Sequence, residues 1–316
     1  MLRTIAVCIC LPLLSVSTFA QEEDLLKLLG EEETGPVYTT ASFKTTRVIN
    51  GHSLENTAHG VLDFKISHRF GSLEEGAGNF FGLDQATIRL GFDYGVTDRL
   101  MIGIGRSSFQ KTVDGFVKYK FLRQCQEGCG MPVTAAVVAA SSITTMQAAD
   151  VPWYGEGRED YFSNRMSYSF QLVVGRKFTE SFTLQLTPGV VHRNLTQYEE
   201  EQNDVFNIGF AGRIKLSKRV ALNAEYFYVF PGQLREPTSE ELAINENAGF
   251  TNVFSIGFDI ETGGHVFQLH FTNSEGMFER AFITETTNRW GESQVHYGFN
   301  ISRVFTVHKP KKPKRI

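Results

Sequence analysis

The sequence predicts an all-β fold: a closed antiparallel transmembrane β-barrel of about twelve strands, with short periplasmic turns and long external loops. Three observations carry this expectation. They are a secretory leader at the N-terminus, side-chain alternation with period two through most of the remaining chain, and connections that alternate between tight and long.

The leader comes first. Residues 1–20 place Arg3 ahead of the apolar run from Ile5 to Leu14 and end in the small-residue stretch from Ser15 to Ala20, before Gln21-Glu22-Glu23-Asp24. That is the layout of a cleavable signal. The run falls short of the roughly 20 apolar residues that a spanning helix needs, and no later stretch reaches that length. Cleavage removes Cys8 and Cys10, and Val7 ahead of Cys8 is a poor match to the small residue that lipoprotein processing requires. The expected location is therefore the outer membrane, reached by secretion across the inner one.

Residues 21–59 read as an N-terminal periplasmic segment or a plug. Glu22 to Leu29 sets acids ahead of Leu25, Leu26, Leu28 and Leu29 and stops at Gly30, which suits a short amphipathic helix with charges favouring its dipole. Residues 37–49 are strand-like but mostly polar on both faces, as a plug or cap would be.

The barrel proper is expected over residues 60–306. Leu62, Phe64 and Ile66 oppose Asp63, Lys65, Ser67 and Arg69; Ile88, Leu90 and Phe92 oppose Arg89, Gly91 and Asp93; Val113, Val117, Tyr119 and Phe121 oppose Asp114, Lys118 and Lys120. The same two-residue period marks strands near 60–70, 86–95, 100–108, 112–122, 132–145, 165–178, 182–193, 204–216, 220–229, 251–261, 265–273 and 294–305. The fifth, rich in Ala, Val, Ser and Thr, has an ambiguous phase. The 27 Phe and 10 Tyr suit β-structure, and the slightly negative mean hydropathy suits strands whose two faces average out.

Connections at 96–99, 179–181, 217–219 and 262–264 are tight, whereas 71–85, 146–164, 230–250 and 274–293 are long and 194–203 is intermediate. Two depart from strict alternation: 109–111 is short where a long loop is due, and 123–131 is a longer turn that carries a cysteine pair. Short turns on one rim and long loops on the other mark an outer-membrane barrel. A water-soluble barrel of this size would have to fill its interior with the apolar face, and about eight strands already give a filled interior. A β-sandwich escapes that volume problem but gives no reason for the loop asymmetry.

With the apolar face outward, the lumen receives Lys65, Arg69, Arg89, Asp93, Asp114, Lys118, Lys120, Arg213, Lys215, Glu225, Asp259 and His270, together with Asp63, Arg165, Lys177, Arg193 and Glu261. Such a mixture either braces itself as ion pairs or lines a wet channel. The long loops carry Glu74, Glu75, Asp150, Glu156, Glu159, Asp160, Glu199, Glu200, Glu201, Glu240, Glu241 and Glu246, an acidic rim that is solvated or that bridges through divalent cations to the phosphates of surrounding lipid. Thr238-Ser239-Glu240-Glu241 reads as a capping box. Cys125 and Cys129 fit a structural disulfide in an oxidising compartment, the alternative being two free thiols. Residues 307–316 form a basic, Pro-broken and therefore extended tail.

Chemistry is sparse. Ser67 and His68 are strand neighbours and point to opposite faces, and His192 lies in the apolar phase of its strand, so no nucleophile and base are matched. The histidines lack metal-ligand spacing, no glycine-rich loop suits a phosphate, and a net charge of -4 gives no basic patch for nucleic acid. Neither an enzyme nor a cofactor is expected. Membrane lipid is the expected partner, and the oligomeric state is open.

The stretches Val191-His192-Arg193-Asn194-Leu195, Asp259 to Ser274 and Tyr297 to Phe305 resemble a β-barrel family of Bacteroidota-type bacteria, catalogued as a domain of unknown function, over about residues 40–306. The resemblance implies an outer-membrane barrel and supplies no activity, substrate or site residue. The chain departs from usual barrel practice by continuing past its last aromatic, Phe305, into the basic tail. Two function classes follow: a narrow passive pore or transporter for small solutes, favouring anions, or a closed structural or binding barrel without conductance. A lipid-modifying enzyme is the remote third.

Overall fold

A strand with one apolar and one polar face has to find two different environments, and closing a sheet into a cylinder supplies both while removing its edges. The computed structural model, which describes residues 36–151, 159–245 and 248–308, resolves the chain into such a cylinder. Its strands are β1 (Val37–Tyr38), β2 (Val61–Ser72), β3 (Ala86–Gly95), β4 (Leu100–Ser107), β5 (Thr112–Leu122), β6 (Cys125–Glu127), β7 (Thr134–Thr144), β8 (Met166–Lys177), β9 (Phe182–Arg193), β10 (Asp204–Lys215), β11 (Val220–Val229), β12 (Val253–Thr262), β13 (His265–Thr272) and β14 (His296–Thr306). All except β1 and β6 form one closed barrel of neighbouring antiparallel strands. The seam is β14 on β2, running from His296 opposite Ser72 to Thr306 opposite Val61.

The faces divide as the alternation predicts. Lys118 and Arg69 are 0% and 1% exposed, whereas Phe206 and Ile104 are 55% and 57% exposed. The apolar band therefore faces outward and the charges face the lumen. No helix among the described residues is long and apolar enough to cross a membrane; the strands do so instead. In β7, whose phase the sequence left open, Ala136 and Val138 face inward and Val137 outward.

Connections β3–β4, β8–β9, β10–β11 and β12–β13 are tight. At the last, Gly263 and Gly264 both take positive φ (+32° and +94°), which a two-residue hairpin with right-handed strand twist demands. The cysteine-bearing connection β5–β7 lies on this same rim, and both its β6 and the rim-level β1 pair with each other. The short 109–111 connection is a single 3-10 turn, Phe109–Lys111, on the opposite, long-loop rim. Also on that rim are helix α1 (Ser239–Ile244), opened by the expected Thr238–Glu241 capping box, and helix α2 (Glu279–Thr284).

Residues 37–49 are not an extended strand. Val37–Tyr38 pairs with β6 and Arg47 bridges to His52, while the carbonyls of Thr40, Ala41, Ser42, Val48 and Ile49 accept from barrel side chains rather than from a neighbouring strand. Arg165, read as lumen-facing, closes the 3-10 turn Phe162–Arg165 at the long-loop rim and pairs with Asp160. The leader, the Glu22–Leu29 segment, Glu156, Glu246 and residues 309–316 of the basic tail lie outside the described residues.

Candidate functional site

The lumen is the site, and two inserts fill it from opposite ends. From the short-turn rim the chain enters past Lys177, whose Nζ donates to the Thr40 carbonyl at 3.2 Å, and past Arg213, which donates to the carbonyls of Ala41 and Ser42 at 2.7 and 3.1 Å. It turns at 47–52, where Arg47 bridges His52 and the Val48 N–H donates to the Gly51 carbonyl at 2.8 Å. It then returns to the rim, where Asn56 donates to the Arg99 carbonyl at 2.9 Å and the Gly60 N–H to the Gly95 carbonyl at 2.8 Å. Residues 40–60 thus form a hairpin inside the barrel.

Glu225 anchors the tip of this hairpin. Its carboxylate accepts from three consecutive backbone N–H groups, Ile49 at 3.2 Å, Asn50 at 2.7 Å and Gly51 at 3.1 Å. Around it Arg69 donates to the Asn50 side-chain oxygen at 2.8 Å, and the Asn50 amide donates to the Ser255 hydroxyl at 3.0 Å. On the far wall Lys118 holds the returning arm through the Ser53 and Glu55 carbonyls, both at 2.6 Å. Apolar contacts complete the seat: Phe43, Val48 and Leu54 of the hairpin pack with Met101, Phe116, Val138 and Val173 of the wall. A Cβ on Gly51 would lie 2.6 Å from the Phe227 ring, so the tip approaches the wall as only glycine permits.

Of the residues read as lumen-lining, Lys65, Arg69, Arg89, Asp93, Asp114, Lys118, Arg213, Glu225, Asp259 and His270 are buried within the barrel, whereas Arg165 lies at the long-loop rim and Glu261 is exposed. Lys65 pairs with Asp93 at 2.7 Å and also binds Thr46 of the hairpin; Arg89 pairs with Asp114, Nε to Oδ1 at 2.8 Å. Asp259 accepts from Gln268 at 2.6 Å, and His270 is fully enclosed. Lys120 and Lys215 sit half-buried near the short-turn rim. Of the two roles expected of the lumen charges, bracing across strands is present, while Arg69, Lys118, Arg213 and Glu225 hold the hairpin, a role not among those expected.

From the long-loop rim, α2 dips into the mouth. Met277, Phe278, Ala281, Phe282 and Ile283 are buried, with the Phe282 and Phe227 rings 5.1 Å apart edge to face. Glu279 meets the hairpin: it pairs with Arg47 at 2.6 Å and stands 3.3 Å from His52 Nε2. Sequence reading missed this insert, although Phe278 and Phe282, one helical turn apart in an external loop, carried a signal for it.

Outside the lumen, Cys125 and Cys129 are disulfide-bonded. Among the described residues no three His, Cys, Asp or Glu side chains converge to hold a metal ion. On the membrane-facing surface His192 Nδ1 pairs with Asp204 at 2.7 Å, and among the described residues no hydroxyl is hydrogen-bonded to its ring. Ser67 and His68 diverge, with the His68 ring stacked outward on Phe299 at 4.8 Å.

Residues 43–305 match a family described as a membrane bound beta barrel domain (DUF5777). Among solved structures, the chain is similar to an outer membrane channel from Pseudomonas putida F1, at 12% identity and a TM-score of 0.44 over 80% of this chain and 98% of that one. It is also similar to the outer membrane protein Omp33 of Acinetobacter baumannii, at 7% identity and a TM-score of 0.38 over 77% of this chain and 97% of that one. A third is LpxR from Salmonella typhimurium, at 11% identity and a TM-score of 0.34 over 77% and 98% of the respective chains. No curated protein matches.

Proposed function

The chain belongs to this membrane-bound β-barrel family, and on that premise we propose that it is an outer-membrane barrel closed at rest, a binding or structural barrel rather than a freely conducting pore. The grip of Glu225 on Ile49, Asn50 and Gly51 carries this reading. Three N–H groups converging on one buried carboxylate fix the hairpin tip where a solute path would run, and hydrogen bonds to a charged acceptor are among the stronger ones. An outer-membrane location is supported by the expected leader and by the outward apolar band. The proposal includes no enzymatic activity.

A second reading, a channel that opens when the hairpin leaves, is favoured by the polar nature of the seat: most of its contacts are hydrogen bonds that water can replace. Along β8, Ser169 Oγ and both amide atoms of Gln171 are buried without a hydrogen-bond partner, which marks a wall that the inserts do not satisfy. Planar-bilayer recording of the refolded mature protein, beside a form lacking residues 21–57, tests both. The intact barrel gives no steady conductance. Open-channel steps from the intact protein overturn the closed barrel. Steps only from the shortened form establish the gated channel, with an anion preference that Lys118→Glu with Lys120→Glu weakens. Silence from both forms leaves the structural or binding barrel.

A further inference from the structure

The external loop residues 194–203, 230–245, 248–252 and 273–295 and the turn at Phe109–Lys111 meet over the mouth of the barrel. Between them lies a cavity of about 380 Å³, within the range of small-molecule sites. Its lining is chemically unusual for a loop junction. Three arginines face it, and each is already paired with its own glutamate: Arg193 with Glu201 at 2.9 Å, Arg235 with Glu241 at 2.7 Å, and Arg280 with Glu285 at 2.6 Å. Gln110 joins the last pair, accepting from Arg280 at 2.5 Å and donating to Glu285 at 2.9 Å. The Arg235 guanidinium lies over the Tyr198 ring at 4.4 Å, and Phe109 and Phe250 add apolar ring surface to the lining. Arg193 is 5% exposed, yet its Nε has no partner.

We propose that this cavity is a binding site for a neutral saccharide of one or two rings. The charges decide the ligand class. Because each of the three lining arginines is paired with its own glutamate, an ionic ligand must break a pair to gain a partner. A polyol breaks none: each Arg–Glu pair sets donors and acceptors side by side, and a vicinal diol both accepts and donates. The aromatic rings supply surface for the apolar face of a pyranose. The proposal deepens the closed-barrel reading and rests on it only for the outward orientation of this mouth.

The test uses the refolded mature protein in lauryldimethylamine oxide, a detergent without sugar groups, and saturation-transfer NMR followed by calorimetry. The probes are glucose, maltose, lactose and N-acetylglucosamine, with glucuronate and glucosamine as charged counterparts. At least one neutral sugar binds at millimolar or tighter Kd, its charged counterpart about tenfold more weakly, and Tyr198→Ala or Phe250→Ala weakens binding by about tenfold or more. Arg176→Ala, on the membrane-facing wall, leaves it unchanged. Heat-modifiable migration of each variant on gels shows that the barrel has folded. No saturation transfer from any of the four neutral sugars overturns the proposal, as does equal or tighter binding of the charged ones or indifference to both ring deletions. Conductance plays no part in these readings, so failure here leaves the closed barrel to its own test.

Discussion

Replacing Glu225 by Gln perturbs the hairpin at its tip while keeping side-chain volume. In the parent, Oε1 serves Asn50 and Oε2 serves Ile49 and Gly51. An amide keeps one oxygen, so either Asn50 or both Ile49 and Gly51 lose their acceptor and face an NH2 donor instead. Hydrogen bonds to charged groups contribute roughly 1.5–3 kcal/mol each, so seating weakens by about 3 kcal/mol. That is about a hundredfold in the ratio of seated to released hairpin. Hydrogen exchange read by mass spectrometry on peptides spanning 46–57 reports the change, since local opening sets amide exchange. The 49–51 amides of Glu225→Gln exchange about a hundredfold faster while those of β8 and β9 keep the parent rate. Unchanged exchange at 49–51 would refute the anchoring role.

Three further outcomes follow from the same geometry. Arg47 and Glu279 form a buried pair at 2.6 Å, so either alanine variant alone loses about 3–5 kcal/mol and the double variant recovers part of it; simple additivity in a urea-unfolding double-mutant cycle contradicts the contact. The Arg235 guanidinium, the Thr238 backbone N–H and its hydroxyl hold the Glu241 carboxyl down to about 2. A depressed carboxylate stabilises its cap above the ordinary glutamate range and releases it only as pH falls through the depressed value, so the α1 cap survives mild acid; an NMR carboxyl titration with an ordinary glutamate midpoint would count against this. Peptide mapping without reductant recovers Cys125 linked to Cys129, and recovery of two free thiols contradicts the disulfide.

The barrel wall was legible because its two faces meet opposite environments along every strand, so Leu90 and Phe92 separate from Arg89 and Asp93 in the sequence itself. The loop asymmetry was legible for a similar reason, since tight turns such as Thr262-Gly263-Gly264 carry their own conformational signature. That residues 37–49 suit a plug was read from their mostly polar faces, but the hairpin they form with the residues up to 60 was not. Its residues bind through backbone groups to single side chains on distant strands, as Val48 does to Gln268 and Ile49 to Asn300, and such contacts leave no period to read. Glu225 looked like one more lumen charge, because its partners are N–H groups that every residue possesses. Ion pairing within the lumen was foreseeable from the mixed signs, but the choice of Asp93 for Lys65 and Asp114 for Arg89 depends on strand register, which alternation does not fix.

The central claim is that residues 40–60 occupy the lumen, and a cross-link inside the barrel tests it most directly. Asn50 and Ser255 are buried and hydrogen-bonded at 3.0 Å, one on the hairpin tip and the other on β12. Asn50→Cys with Ser255→Cys, placed in a Cys125→Ser, Cys129→Ser background, is assembled in outer membranes, oxidised and mapped by mass spectrometry. The account predicts a 50–255 disulfide in the folded, heat-modifiable protein. Two free thiols after oxidation, both open to a maleimide reagent in that folded form, would contradict it.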